Sequence, residues 1–222
     1  MEPFRDPSEL EQYRRKLGYR NALVNRASKI WIFWDDDYEG HIVADSVQQL
    51  TIKLTRYNTF VLVLAVYAKC SHEERIDLWE DLQHIAADSD ISWVIGRDFN
   101  VILREEDKLG GLAFTQSEAA DFAHFINNCG LSELKFSGSL FTWWNGGVEE
   151  ECIFKRLDRV LVNQKFQDLY PSSEVHHLVR QGSNHAPLHM RYSTTEESHI
   201  RPFRFLHFWT KHRGFEEVVR QH

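Results

Sequence analysis

The chain reads as an α/β protein, a layered sandwich of mixed β-sheets covered by helices. Three features predict this. Thr59 to Tyr67 is almost continuously apolar, the pattern of a strand buried on both faces. Ile76, Trp79, Leu82 and Ile85 then recur at helical spacing. Trp93-Val94-Ile95-Gly96-Arg97-Asp98 returns to a β-type run, so strand, helix and strand follow in immediate succession.

The remaining elements can be taken in order. Ser8-Glu9-Leu10-Glu11 is a capping-box pattern, predicting a short helix that runs to about Leu17 and stops near Gly18. Lys29 to Trp34 is β-rich, and Asp35-Asp36-Asp37-Tyr38-Glu39-Gly40 reads as its turn. Gln49 to Leu54 alternates apolar and polar, as a half-buried strand does. Past Asp98, Thr115-Gln116-Ser117-Glu118 opens a helix with Phe122, Phe125 and Ile126 inward and Gly130 just beyond its end. Shorter strands are predicted at 140–144, 153–156, 160–162, 175–179 and 188–192. No linker or repeat interrupts the series.

Bulk properties bound the function. A chain of 222 residues with 42% hydrophobic and 13% aromatic content can bury one sizeable core. Its 26 basic and 33 acidic side chains give a formal charge of −7, so the molecule as a whole does not attract polyanions. Contact with nucleic acid then needs a local basic face or metal ions. Arg14-Arg15-Lys16 and the run from Arg201 to Arg213 read first as solvated faces. Cys70, Cys129 and Cys152 lack any CxxC spacing, which argues for reduced thiols and against zinc or a disulfide framework. No apolar run reaches the roughly 18–20 residues of a membrane span. Met1-Glu2-Pro3-Phe4 has no signal-peptide core. The expectation is a soluble, intracellular protein that meets no membrane and needs no small-molecule cofactor.

The chemistry gathers around Gly96-Arg97-Asp98-Phe99-Asn100. A buried strand ending here delivers a carboxylate and a carboxamide to one side of its C-terminal lip, since residues i and i+2 of an extended chain share a face. Open α/β sheets hold their sites at such lips. A proton-accepting acid beside an amide that orients water or a phosphate oxygen suits hydrolysis. Read alone, Asp and Asn are ordinary turn residues. Arg156-Leu157-Asp158-Arg159 and Ser183-Asn184-His185-Ala186-Pro187 add the partners that such chemistry needs.

The series Val66-Tyr67-Ala68, Gly96 to Asn100, Phe141-Thr142-Trp143, Arg156 to Arg159 and Ser183 to Pro187 resembles the endonuclease/exonuclease/phosphatase superfamily. More narrowly, it is similar to the endonuclease domain of plant LINE-type (non-LTR) retrotransposons. Leu78-Trp79-Glu80-Asp81-Leu82, Cys129-Gly130-Leu131 and Arg201-Pro202-Phe203-Arg204-Phe205 fit the same pattern. The resemblance implies a deoxyribonuclease-I-like four-layer α/β sandwich of two mixed β-sheets flanked by helices. It also implies a domain over 1–195, followed by a 196–222 extension of the kind that leads toward a reverse transcriptase.

Residue by residue, the resemblance makes Asp98 the base or water-orienting carboxylate and Asn100 the group that fixes the phosphate or nucleophile. Tyr67 reaches the phosphate, and Thr142 with Ser183 supports the site. Asp158 orients His185, and His185 steadies charge on a phosphate oxygen. Glu2 and Asn184 occupy metal-binding positions, for Mg²⁺ with Mn²⁺ as a substitute. The implied partner is the phosphodiester backbone of DNA, and the implied compartment is the nucleus. Nothing in the pattern specifies an oligomeric state.

Three departures from the family pattern stand out. Asn184 replaces an aspartate, which removes a ligand charge and weakens the expected metal site. The pattern begins at the glutamate strand, so the first strand is expected to be missing, leaving an interrupted core. Arg97 stands where glycine is usual and could pair with a carboxylate or with phosphate. The expected activity is therefore Mg²⁺-dependent phosphodiester hydrolysis, weakened or lost. A non-catalytic nucleic-acid-binding fragment and a relative acting on another phosphoester are the alternatives.

Overall fold

The computed structural model describes residues 5–87 and 90–195. Glu2 and the segment 196–222, with Arg201 to Phe205, lie outside the described residues. In chain order, helix α1 (Leu10–Leu17) precedes a hairpin of β1 (Asn21–Val24) and β2 (Trp31–Trp34). The strands β3 (Glu39–Asp45), β4 (Gln49–Arg56) and β5 (Thr59–Tyr67) follow as a meander, and α2 (His72–Ala87) leads to β6 (Trp93–Asp98). Next come β7 (Lys108–Leu109), α3 (Gln116–Asn128), β8 (Leu131–Glu133), β9 (Phe136–Gly138) and β10 (Trp143–Trp144). The chain continues through β11 (Phe154–Lys155), β12 (Asp158–Asn163), α4 (Gln164–Leu169), β13 (Ser172–His177) and β14 (Leu188–Ser193).

One mixed sheet of six strands, ordered β3-β4-β5-β6-β12-β8, organises the rest. β5 and β6 run parallel, and β12 lies antiparallel to β6. The face under α2 and α3 is filled by Leu64, Val66, Leu82, Ile95 and Leu161. Trp79 stacks there on Phe122 and Phe125 at centroid separations of 5.0 and 5.2 Å. The opposite face meets two smaller units, the β1-β2 hairpin and the three-stranded sheet β14-β13-β9. Between them runs a largely apolar groove of about 810 Å³, lined by residues including Trp34, Val63, Phe166 and Met190. A further small sheet, β10-β11-β7, completes the set.

Local chemistry explains where elements begin and end. Asp6, rather than Ser8, caps the first turn, its Oδ1 accepting the Ser8 N–H at 2.8 Å over a 3₁₀ turn at Pro7–Glu9. Gly18 ends α1 in the left-handed conformation, φ 83°, which costs a glycine nothing. The expected turn after β2 stops at Tyr38, and Glu39 instead opens β3. This is a bulged edge strand that exposes Ile42 and Val43 together and so breaks the alternation a sequence reading relies on. The predicted strand at 140–144 pairs only at Trp143–Trp144, and the one at 175–179 is shifted to Ser172–His177.

The strand β12 is buried along its whole length, including its charges. The Arg159 guanidinium donates to Glu133 at 2.9 and 3.1 Å and also bonds Asp107. Arg156 bonds Glu133, lies 3.6 Å from Asp107 and sits over the Phe136 ring at 3.9 Å. Asp107 Oδ2 further accepts the backbone N–H groups of Leu103 and Arg104, each at 3.0 Å. Removing one member of such a buried set strands an uncompensated charge. Arg159→Ala is expected to lower the unfolding free energy by about 3–5 kcal/mol in urea titration. A loss below about 1 kcal/mol, the range of exposed pairs, would show that the four groups act only as a surface cluster.

Candidate active site

Sheet register brings the predicted site residues together. Asp98 closes β6 and is paired with Tyr67 of β5 on one side and Asp158 of β12 on the other. Two carboxylates therefore lie directly opposite one another on neighbouring central strands, both essentially sealed from solvent. The His185 ring bridges them. Its Nδ1 lies 2.8 Å from Asp158 Oδ2, and its Nε2 lies 3.8 Å from Asp98 Oδ2. A carboxylate only accepts, so the ring proton is assigned to Nδ1 and Nε2 is left facing Asp98.

Backbone hydrogen bonds position each partner. The Thr142 hydroxyl, buried completely, accepts the N–H groups of Leu157 and Asp158 at 3.1 and 3.0 Å. The Thr142 carbonyl accepts the Ala186 N–H at 2.6 Å, and Trp143 forms a β-bridge with His185. Thr142 thereby holds the Asp158 strand and the His185 loop at once. The Ser183 hydroxyl accepts the His185 N–H at 3.1 Å, stiffening that loop from within.

Asn100 reaches Asp98, though not by the extended geometry expected of it. The strand ends at Asp98, and Asn100 adopts φ 50° in a turn. Its N–H donates to Asp98 Oδ1 at 3.0 Å, an Asx-type turn. Its Nδ2 donates to the Ala68 carbonyl at 2.7 Å and to Asp98 Oδ2 at 3.3 Å. Both amide hydrogens are thus engaged within the protein, which leaves the side-chain oxygen to receive a donor.

Arg75 also supports this lip, and the sequence reading misses it: of the expected stripe Ile76, Trp79, Leu82 and Ile85, Ile76 is exposed, and Arg75 and Leu78 are buried beside Trp79 and Leu82. Its guanidinium donates to the carbonyls of Lys69, Cys70 and Asn100 at 3.1, 2.7 and 3.3 Å. It ties the end of β5 to the turn after β6. Asn184 is exposed and contributes its backbone carbonyl to the Trp144 N–H at 3.0 Å. Glu2 lies outside the described residues.

Arg97 is the strained member. Its φ is 109°, a region that penalises any side chain with a Cβ. Such backbone costs on the order of 1–3 kcal/mol and persists only where the surroundings impose it. A glycine here would carry no such penalty.

The electrostatics follow from this packing. Burial and the adjacent Asp158 carboxylate push Asp98 up to about 7, against the opposing pull of His185, the Asn100 N–H and Arg97. Burial alone would lower His185. The hydrogen bond to Asp158 and the charges of Asp158 and Asp98 outweigh it and raise the imidazole above its ordinary value. The donors also suit a divalent cation. One ligand atom from each of Asp98, Asp158 and His185 lies within 4.8 Å of the others. Asp158 Oδ1 is buried with no hydrogen-bond partner, an orphaned hard donor of the kind Mg²⁺ or Mn²⁺ prefers.

Against known proteins, no family model matches the chain and no curated protein matches it. Solved structures do. The endonuclease domain of TRAS1, a telomere-specific non-LTR retrotransposon, superposes with a TM-score of 0.61 at 11% identity, over 83% of this chain and 91% of that one. The 3′-phosphatase NExo from Neisseria, bound to a product DNA hairpin, gives 0.57 at 16% identity, over 87% and 85%. Truncated TDP2 from Caenorhabditis elegans gives 0.51 at 12% identity, over 84% and 80%. The fold is deoxyribonuclease-I-like.

Both raised groups act in the same direction on stability. The folded Asp98 holds its proton more tightly than the unfolded chain does, so its contribution is complete below about pH 4 and is lost as pH rises to about 7. The raised His185 contributes fully below its ordinary value and loses that contribution as pH rises through the folded one. Asp98→Asn is therefore expected to melt higher than the native chain at pH 8 and to differ little at pH 4.5. A difference that shrinks as pH rises would contradict the assignment.

Proposed function

We propose that this chain is a DNA phosphodiesterase, an endonuclease of LINE-type retrotransposon lineage assisted by Mg²⁺ or Mn²⁺, whose cation site is weakened. The observation that carries the reading is the buried Asp98–His185–Asp158 cluster at the lip of the central strands. Its likeness in fold to proteins described as an endonuclease domain and as a phosphatase solved with DNA supports phosphodiester substrates.

The residues divide the work as follows. An Asp98 carboxyl near neutrality can take a proton from an attacking water at physiological pH. Asn100 offers a free side-chain oxygen that orients the same water through its other hydrogen. The His185 ring is partly exposed and its pKa is raised by the Asp158 and Asp98 carboxylates, so it can take a second proton at Nε2 and donate that N–H to a phosphate oxygen, steadying charge that develops there. Asp158 keeps that ring in its tautomer, and Thr142 keeps Asp158 in register. Tyr67, beside Asp98 in the sheet, is the side chain closest in register to the substrate lip. In the reaction the water oxygen bonds to phosphorus in line with the departing sugar oxygen. A cation held by Asp98 and Asp158, with Glu2 as a further ligand, would neutralise charge on the phosphoryl oxygens.

The neutral Asn184 is where the site is weakest, because a carboxamide brings no charge to bind a cation. An endonuclease of this lineage acts in the nucleus, the compartment we propose. The assay is conversion of supercoiled plasmid to the nicked circle with Mg²⁺. Asp98→Ala is expected to lower the rate by roughly 10²- to 10⁴-fold, the usual worth of a general base. Asn184→Asp is expected to raise it several-fold and to lower the Mg²⁺ concentration needed. Nicking that survives Asp98→Ala would sink the proposal.

A further inference from the structure

We propose that Lys155 binds a backbone phosphate of the nucleic acid that flanks the scissile one, at the outer part of a side-chain row that starts at His185. The inference rests on the reading above and deepens it by naming a substrate contact. Strand register sets the row. Trp143 bridges to His185 on one side and pairs with Lys155 of β11 on the other, and Lys155 pairs in turn with Lys108 of β7. Residues directly opposite one another in an antiparallel ladder share a face. The bridge is closed by the Trp144 N–H on the Asn184 carbonyl at 3.0 Å and the Ala186 N–H on the Thr142 carbonyl at 2.6 Å, the pairing in which facing side chains come closest. The Lys155 ammonium lies 5.6 Å from the centre of the Trp143 ring, as a shared face requires. Since the His185 ring points to Asp158 and Asp98, the row extends the face that carries the cluster. Two strand spacings put Lys155 about 10 Å from His185. Phosphates recur every ~3.4 Å of axis along one DNA strand, so the phosphate at Lys155 is a neighbour of the one attacked.

The charge of this row is unanswered within the protein. Lys108 and Lys155 stand directly opposite, a like-charge pairing that weakens a ladder. Lys108 donates to the Leu112 carbonyl. The Lys155 ammonium meets the Trp143 ring but, among the described residues, no hydrogen-bond acceptor and no carboxylate at ion-pair distance. Its sequence neighbour Arg156 is the contrast, being held by both Asp107 and Glu133. Lysine on an open edge blunts unwanted strand pairing, which accounts for Lys108 on β7. β11 is the middle strand of its sheet, so edge protection does not account for Lys155. Burial first, and then the Lys108 charge, pull the Lys155 ammonium below its ordinary value against Glu118 and Cys70, whereas an ion-paired lysine moves the other way. A phosphate laid across the row would relieve the repulsion between the two lysines. The indole under the lysine stem would hold the ammonium ready for it. In a chain of formal charge −7, a polyanion needs such a local basic face.

Binding of the full chain to a fluorescein-labelled DNA duplex, followed by anisotropy in EDTA across a salt series, tests the proposal. Lys155→Gln is expected to weaken binding about 3- to 10-fold, equally for two duplexes of unrelated sequence, and to reduce the slope of log K against log salt by about 1. Lys155→Arg is expected to keep the slope. Lys53→Gln is the control for simple loss of charge. Lys53 also lies over an aromatic ring, that of Phe60 at 4.1 Å, but it pairs with Leu62 in the half of β5 remote from Tyr67, and its variant is expected to bind as the native chain does. Lys155→Gln removes a like-charge repulsion, so it should melt no lower than the native chain, which separates a DNA contact from a structural role. Native affinity and slope in Lys155→Gln, an equal loss in Lys53→Gln, or a lowered melting temperature in Lys155→Gln would overturn the contact while leaving the nuclease reading intact. A native chain that binds no duplex at all would remove both.

Discussion

Everything at the lip depends on two carboxylates held face to face where water cannot separate them. Antiparallel pairing of β6 and β12 sets Asp98 opposite Asp158, and nothing in the backbone lets either retreat. Like charges at that separation and burial cannot both ionise cheaply. The strain is relieved in two ways, by raising Asp98 to about 7 and by drawing the His185 imidazole between the pair. The same repulsion that costs stability thus makes a carboxyl that exchanges protons near neutral pH. Thr142 matters because it fixes both sides of this arrangement, anchoring the N–H of Asp158 and receiving the N–H that follows His185.

The strand β12 carries charge on both of its faces, and the two sets answer each other. Asp158 points toward the His185 loop, while Arg159, one residue on, points the other way into Asp107 and Glu133. Alternation along a strand makes this division automatic. The arginine side binds the segment around β7 and the end of β8 to the centre of the sheet, which keeps β12 from sliding. A one-residue slip would exchange the faces and place Arg159 beside Asp98. The ion set therefore keeps Asp158 opposite Asp98 by fixing register.

Much of this was legible in the sequence, and the exceptions have physical causes. β5 and α3 declare themselves because each keeps one period throughout, a continuous apolar run or a stripe of Phe122, Phe125 and Ile126. The association of Asp98 with Asp158 and His185 could be anticipated only from motif order, since sheet register is not written locally. β3 escapes notice because an edge strand with a bulge buries neither face consistently. The Asp98–Asn100 relation is correct in outcome and different in route, a turn replacing an extended lip. The supporting role of Arg75 is hidden because an arginine next to Ile76 reads as a solvated helix residue, whereas the helix is turned so that Arg75 is buried and Ile76 is exposed.

Arg97 shows how the sheet itself can hold a residue in a conformation that its side chain disfavours. Its φ of 109° carries a backbone cost, and its Nε is buried without a hydrogen-bond partner. Such a conformation persists only where the surroundings impose it, and here Val66 on one side and Arg159 on the other hold Arg97 in register. The same pairing carries Asp98, one residue on, to its place opposite Asp158, so the strain at Arg97 and the meeting of the two carboxylates have one cause.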